Sequence, residues 1–268
     1  MPARSNDLSS PDAILQRRDN QGVTTLTMSA PERFNALSEA MLQALQAAFA
    51  DIADDSSVRC VVLAAEGKAF CAGHDLKQMR ANPDKAYYQA LFARCGEVMQ
   101  AIANLPVPVI AKVQGIATAA GCQLVASCDL AVAARSARFA VSGINVGLFC
   151  STPAVALSRN MSRKRAMEML LTGEFISAEQ AAEWGLINRV AEDDKLDEAT
   201  QALTASICVK SAVAVRTGKA MFARQLSMPL DEAYAFAGET MACNMLAEDV
   251  GEGIDAFMAK RPAQWQHR

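Results

Sequence analysis

The stretch PVPVIAKVQGIATAAGCQLVASCDLAVA, residues 106–133, decides the fold class. Pro106 and Pro108 hold the backbone extended on entry, because the residue before a proline is pushed away from helical angles. Val109 to Val113 is then a short apolar run bounded by turn residues, the pattern of a buried strand. Gly115 opens a run of small residues, and TAAGCQLVAS reads as a helix that packs closely. DLAVAA, Asp129 to Ala134, is a second apolar run. Strand, small-residue helix and strand in succession predict βα units with largely parallel pairing.

The same alternation extends toward the N-terminus. VRCVVLAA, Val58 to Ala65, is apolar almost throughout, as a strand covered on both faces requires. Ile14 to Ser29 reads as two short strands around an Asp-Asn-Gln-Gly turn, ended by Pro31. Ser38 offers a helix cap, followed by Met41, Leu42, Leu45, Phe49 and Ile52 at helical spacing. A further helix is predicted within 83–104. After about residue 150 the strand signals fade. RKRAMEMLLTG, SAEQAAEWGL and the stretches 195–224 and 230–260 are helical in pattern. No internal sequence repeat is evident.

Composition narrows the function classes. About half of the 268 residues are apolar and the net charge is −3, with no basic block to meet a nucleic acid. No apolar run approaches the ~18 residues of a membrane span. The first twenty residues lack the apolar core of a secretory signal, and Asp7, Asp12 and Asp19 argue against an organelle transit peptide, so a cytoplasmic protein is expected. Eight cysteines occur without any C-x-x-C pair, and His74 and His267 are the only histidines. That supports no zinc cage; thiols in apolar runs behave as small hydrophobes.

Two segments share one local logic. KAFCAGHDLKQM, Lys68 to Met79, follows the Val58–Ala65 strand with Ala72 and Gly73, and Asp75 opens a helix. GIATAAGCQL repeats strand, glycine, small residues and helix. Each turn leaves a backbone N–H pointing outward, and two such groups make an oxyanion hole. Small residues at strand-to-helix junctions also serve packing alone.

These two segments, with ARFAVSGINVGLFCSTP and EDVGEGIDAFMAKRPAQW, resemble the signature blocks of the crotonase (enoyl-CoA hydratase/isomerase) superfamily in order, over nearly the whole chain. ATAAGCQLVASCD together with INVGLFCSTP more narrowly resembles the enoyl-CoA hydratase domain-containing protein 3 branch. The resemblance implies an α/β fold, a spiral of ββα repeats over 1–205 holding an acyl-CoA pocket. It also implies a helical region, 206–268, that assembles trimers or dimers of trimers. No permanently bound cofactor is implied; a coenzyme A thioester is substrate or ligand. Its carbonyl would lie between the N–H groups of His74 and Ala120. Arg33, Ala72 and Lys77 fall where the family meets CoA, and Lys260 and Arg261 fall in the block that reaches a neighbouring subunit's ligand.

The departures bear on chemistry. In the hydratases of this family two glutamates hold the water that adds across the double bond. Those positions are Gln123 and Gly143 here, and Ala120 replaces the usual glycine. An amide orients water but does not exchange protons near neutral pH. General acid–base groups supply ~10²–10⁴ in rate, so ordinary hydration is not expected. Asp129 opens a buried strand and reads as structural. His74 has a proton-transfer pKa range if its side chain faces the site. Cys150 is packing or, with a lowered pKa, a nucleophile; Ser151 reads as a helix cap. By analogy with the naphthoate synthase branch, Ser142, Gly143 and Gln123 could host a bicarbonate. Two functions remain: an enzyme that stabilises an enolate or oxyanion of an acyl-CoA, and a non-catalytic acyl-CoA binding protein.

Overall fold

The computed structural model describes residues 13–268; Asp7 and Asp12 lie outside the described residues. In chain order the elements are β1 (Leu15–Asn20), β2 (Val23–Met28), α1 (Glu39–Ala53), β3 (Cys60–Ala65), β4 (Ala69–Cys71), α2 (Leu76–Ala81) and α3 (Lys85–Asn104). There follow β5 (Val109–Val113), β6 (Ile116–Thr118), α4 (Ala120–Ser127), β7 (Leu130–Ala134), β8 (Arg138–Ala140), α5 (Ser151–Asn160) and α6 (Arg163–Thr172). The last part holds β9 (Ile176–Ser177), α7 (Ala178–Glu183), β10 (Arg189–Ala191), α8 (Leu196–Cys208), α9 (Ala212–Gln225), α10 (Leu230–Met245) and α11 (Glu248–Met258).

Two sheets result. The larger has the order β1-β2-β3-β5-β7-β10, and the smaller β4-β6-β8-β9. β1 and β2 form a hairpin whose turn residues Gln21 and Gly22 both have positive φ, 48° and 80°, the backbone that matches strand twist. From β2 to β10 the larger sheet is parallel. Three times the chain makes a strand of the larger sheet, then one of the smaller, then a helix: β3-β4-α2, β5-β6-α4 and β7-β8-α5. This is the spiral of ββα turns.

Sequence patterning reached the first strand of each turn and missed the second. β4, β6 and β8 have three residues each, too few to display a period. β9 and β10, at two and three residues, escaped for the same reason, so strands continue past residue 150. Residues 205 and 206, where the helical C-terminal region was expected to begin, lie within α8, and α9 starts at Ala212.

The core lies between the larger sheet and α1, α3 and α4. Ser38 caps α1, its Oγ accepting the Met41 N–H at 3.2 Å, and the predicted stripe from Met41 to Ile52 is buried. Asp129 is structural: its Oδ2 accepts the Val109 N–H at 2.7 Å and the Lys219 ammonium at 2.6 Å. Lys219 also donates to the carbonyls of Ile102 and Val107, so one lysine of α9 clasps the α3–β5 connection. Among the described residues no helix is long and apolar enough to cross a membrane, and no metal-ligating cluster occurs.

Candidate active site

The site forms where the first two ββα turns meet. β4 and β6 pair in parallel, Cys71 opposite Ala117, which brings the residues after each strand side by side. Gly121 has no Cβ, and one there would collide with the Cys71 carbonyl oxygen. Gly73 adopts φ 85°, and a Cβ on it would lie 3.0 Å from the Ala120 nitrogen and 3.0 Å from the Ala119 Cβ. Two glycines thus permit backbone-on-backbone contact between the turns.

The first turn is held by Ala72 N–H donating to the Phe34 carbonyl (3.0 Å) and Leu37 N–H donating to the Gly73 carbonyl (2.7 Å). Asp75 caps α2, accepting from the N–H groups of Lys77 and Gln78. In the second turn Ala119 takes φ 51°, ψ −121°, and donates its N–H to the Ala140 carbonyl. A non-glycine residue with that backbone carries strain of order 1–3 kcal/mol. Ala120 follows as the first residue of α4, so its N–H has no partner within that helix. Neither the His74 nor the Ala120 N–H has an acceptor among the described residues.

A cavity of about 300 Å³ adjoins these two donors. Ala72, His74, Ala119, Ala120, Gly143, Cys150 and Ser151 line it, with Leu76, Met79, Phe92, Val146, Leu148 and Phe149 supplying apolar surface. Among the described residues no aspartate, glutamate, lysine or arginine lines it. Phe92 was not foreseen. It sits one position beyond Leu91 of the buried α3 stripe, and its place beside that stripe, one turn after Tyr88, was its only signal.

Gln123 and Gly143, the two positions at which the family resemblance led us to expect glutamates in a hydratase, differ in kind. Gln123 is only 4% exposed and is not one of the residues lining the cavity, and its Oε1 has no hydrogen-bond partner among the described residues. Gly143 lines the cavity, but the space where a side chain would start is filled. A Cβ there would lie 2.6 Å from the Leu148 carbonyl oxygen and 2.7 Å from Cys150 Sγ. Cys150 therefore packs into the room a glutamate would use. The neighbouring Ser142 hydroxyl is hydrogen-bonded to that of Thr118, 2.7 Å away.

Burial pushes the Cys150 thiol above its ordinary pKa, with a hydrogen bond from Gly143 opposing weakly. That disfavours a thiolate nucleophile. Ser151 does not cap α5: Cys150 holds the cap position, and the Ser151 hydroxyl, in the first helical position, donates to the Phe149 carbonyl. Burial lowers His74 to about 4, so its imidazole is neutral near pH 7. Its ring meets Phe92 edge-on at 5.4 Å, and its Nε2 has no partner.

Arg33, Ala72 and Lys77 come together along a second groove of about 580 Å³, which shares Ala72, His74 and Leu76 with the cavity. Arg33 lies 3.9 Å from Asp75 and is otherwise exposed. Lys260 and Arg261 are not brought there within one chain. Arg261 is engaged by Glu252 in a two-pronged pair at 2.6 and 2.8 Å at the end of α11.

The enoyl-CoA hydratase/isomerase family model matches residues 18–268. The chain is 45% identical to the mitochondrial enoyl-CoA hydratase domain-containing protein 3 of Rattus norvegicus, over 95% of this chain and 85% of that protein. It is 32% identical to the 1,2-epoxyphenylacetyl-CoA isomerase of Escherichia coli, over 91% and 95%. The crystal structure of an enoyl-CoA hydratase from Mycobacterium smegmatis superposes with a TM-score of 0.94 at 61% identity, covering 95% of this chain and 99% of that one. That of human enoyl-CoA hydratase domain-containing protein 3 gives 0.92 at 44%, covering 94% and 100%. The rat, mouse, frog and human relatives are named mitochondrial, which overturns the cytoplasmic expectation drawn from the N-terminal residues. With its spiral of ββα turns and a family match spanning nearly its whole length, the chain belongs to the enoyl-CoA hydratase/isomerase family of the crotonase superfamily.

Proposed function

We propose that this protein binds an acyl-CoA thioester with the carbonyl oxygen between the His74 and Ala120 N–H groups and stabilises the enolate or oxyanion formed there. The observation that carries this reading is the pair of unengaged N–H groups, set side by side by Gly73 and Gly121 at an apolar cavity. Each such donor is worth ~10²–10³ in rate where one has been removed from an enzyme. Arg33 and Lys77, in the adjoining groove, suit the phosphates of CoA, with Ala72 leaving room between. Lys260, beside the Arg261–Glu252 pair, would serve a neighbouring subunit in a trimer or dimer of trimers.

The reaction we favour is isomerisation or thioester cleavage rather than hydration. Among the described residues no carboxylate lines the cavity, and Gln123 offers only a buried amide. The name of the Escherichia coli relative, an acyl-CoA isomerase, is consistent with this choice. The absence of a proton-exchanging carboxylate equally favours a second reading, an acyl-CoA binding protein without turnover.

The test is incubation with crotonyl-CoA, with and without bicarbonate, followed by mass spectrometry of products and calorimetric binding. A shifted double bond or free CoA supports the enzyme, and binding without product supports the second reading. A water adduct would overturn the exclusion of hydration; bicarbonate-independent rates remove an anion at Gly143. A thioester that does not bind at all removes the proposal.

A further inference from the structure

The strand that leads into the first oxyanion-hole turn is out of step with its neighbour. Ala69 of β4 stands opposite Ile116 of β6 and Cys71 opposite Ala117, so β4 uses two residues where β6 uses one. Phe70 is the extra residue, and its ring is fully buried in the core. Such a bulge bends its strand and re-aims the residues beyond it. Those residues are Ala72, Gly73 and His74. Were the two strands in step, everything beyond Cys71 would sit one place further along β6, about 3.3 Å. Two donors serve one oxygen only when both lie within about 3 Å of it, so a slip of that size would part them.

Side-chain amides hold the bulge in place. Asn35 is fully buried; its Nδ2 donates to the carbonyls of Glu66 and Ala69, both at 2.8 Å, and its Oδ1 accepts the Ala30 N–H at 2.9 Å. Gln114, on the β5–β6 connection, donates from its Nε2 to the carbonyls of Gly67 and Ala69, both at 3.1 Å. The Ala69 carbonyl, immediately before the bulge, thus receives both amides. Beyond the bulge, the Phe34 carbonyl accepts the Ala72 N–H at 3.0 Å. Phe34 and Asn35 are consecutive and have φ 52° and 51°. Left-handed backbone at two successive non-glycine residues carries strain, which surrounding contacts must hold. Here it lets one turn grip β4 before and after Phe70. Neither Asn35 nor Gln114 lines the cavity or the groove holding Arg33, so both act through the backbone.

We propose that Asn35 is a positioning residue for the oxyanion hole: it fixes the bulge at Phe70, and with it the step that sets the His74 N–H beside that of Ala120. Gln114 reinforces it at the Ala69 carbonyl. This rests on the thioester reading above. Asparagine suits the post twice, since it tolerates left-handed backbone and its amide both donates and accepts. Its effect falls on how the carbonyl oxygen is met and leaves the hold on the rest of the ligand unchanged.

The experiment is calorimetric titration of the full chain with butyryl-CoA and with S-butyl-CoA, the thioether that lacks the carbonyl oxygen. The ratio of the two affinities isolates what the two N–H groups contribute. In the wild type the thioester is expected to bind about tenfold more tightly, as two hydrogen bonds of ordinary net strength give. Asn35→Gly removes the amide and leaves the left-handed backbone unstrained. It is expected to cut the ratio to about twofold or less, with the thioether's own affinity within about twofold of wild type. Gln114→Met removes one of the two amides on Ala69 at a half-buried site, and a ratio of about threefold is expected. Thermal melts establish that each variant is folded. A ratio that stays at the wild-type value, or equal weakening of both ligands, makes the amides purely structural. Either result overturns the inference and leaves the thioester reading standing. If Asn35→Gly does not fold, Gln114→Met alone decides on the same terms. A wild type that binds both ligands alike, or neither, fails the thioester reading, and this inference with it.

Discussion

His74 has an unengaged N–H beside the cavity while its half-buried ring packs edge-on against Phe92, and that burial has a consequence for stability. Lowered to about 4 against an ordinary 6.5, the imidazole stays neutral in the folded protein where the unfolded chain would protonate it. The unfolded state therefore binds more protons between pH 6.5 and 4, and stability falls as pH is lowered through that window. By pH 5 the loss is about 2 kcal/mol. Urea unfolding at pH 7 and pH 5 measures it, and the part of the loss due to this ring disappears in His74→Phe. At Gly143 the question is room. Because Leu148 and Cys150 occupy the space a glutamate would enter, Gln123→Glu with Gly143→Glu is expected to give no hydration of crotonyl-CoA. Adding Cys150→Gly vacates part of that space, and water addition rising at least tenfold over the double variant, in a coupled absorbance assay, is the expected result. Activity in the double variant alone would falsify the steric account.

Elements meet here through a few polar contacts that hydrophobic spacing does not announce. Lys219 of α9 has its ammonium on the Asp129 carboxylate and on two backbone carbonyls, with its side chain only 9% exposed. Lys219→Met leaves a partly buried carboxylate and two carbonyls without their donor, and about 3 kcal/mol of stability is expected to go. Denaturant melts will show it as a lower midpoint with unchanged slope. The same contact explains why Asp129 is legible as structural from its place at a strand start, whereas its partner ninety residues later is not. Likewise the helix caps Ser38 and Asp75 are local and readable, while the contact of Gly121 with the Cys71 carbonyl joins two turns far apart in sequence.

For the whole molecule the exposed apolar surface of the C-terminal helices matters most. Leu246 is 87% and Phe257 84% exposed, accompanied by Leu230, Tyr234 and Met241 on α10. Contiguous apolar surface of this extent marks an interaction face, and a second copy of the chain is the occupant the family resemblance implies. Light scattering is expected to give three or six copies, and Leu246→Glu with Phe257→Glu to shift the mass toward one. A wild-type chain that stays monomeric at micromolar concentration sinks the expectation.

The loss of both hydratase carboxylates, at Gln123 and Gly143, is what the family resemblance implies; residues 106–133 and 68–79 by themselves announced strand, turn and small-residue helix, with an outward N–H expected at each turn. These are local properties: they follow from proline, glycine and side-chain size within a few positions along the chain. The spiral itself, the short strands β4, β6 and β8, and the filling of the Gly143 space by Cys150 were decided only in three dimensions. So were the strained backbone of Ala119, the edge-on packing of His74 against Phe92 and the neutrality of its imidazole near pH 7. Each of these depends on which distant backbone lies within a few ångströms, and on water being excluded there. One chain's spacing carries no record of either.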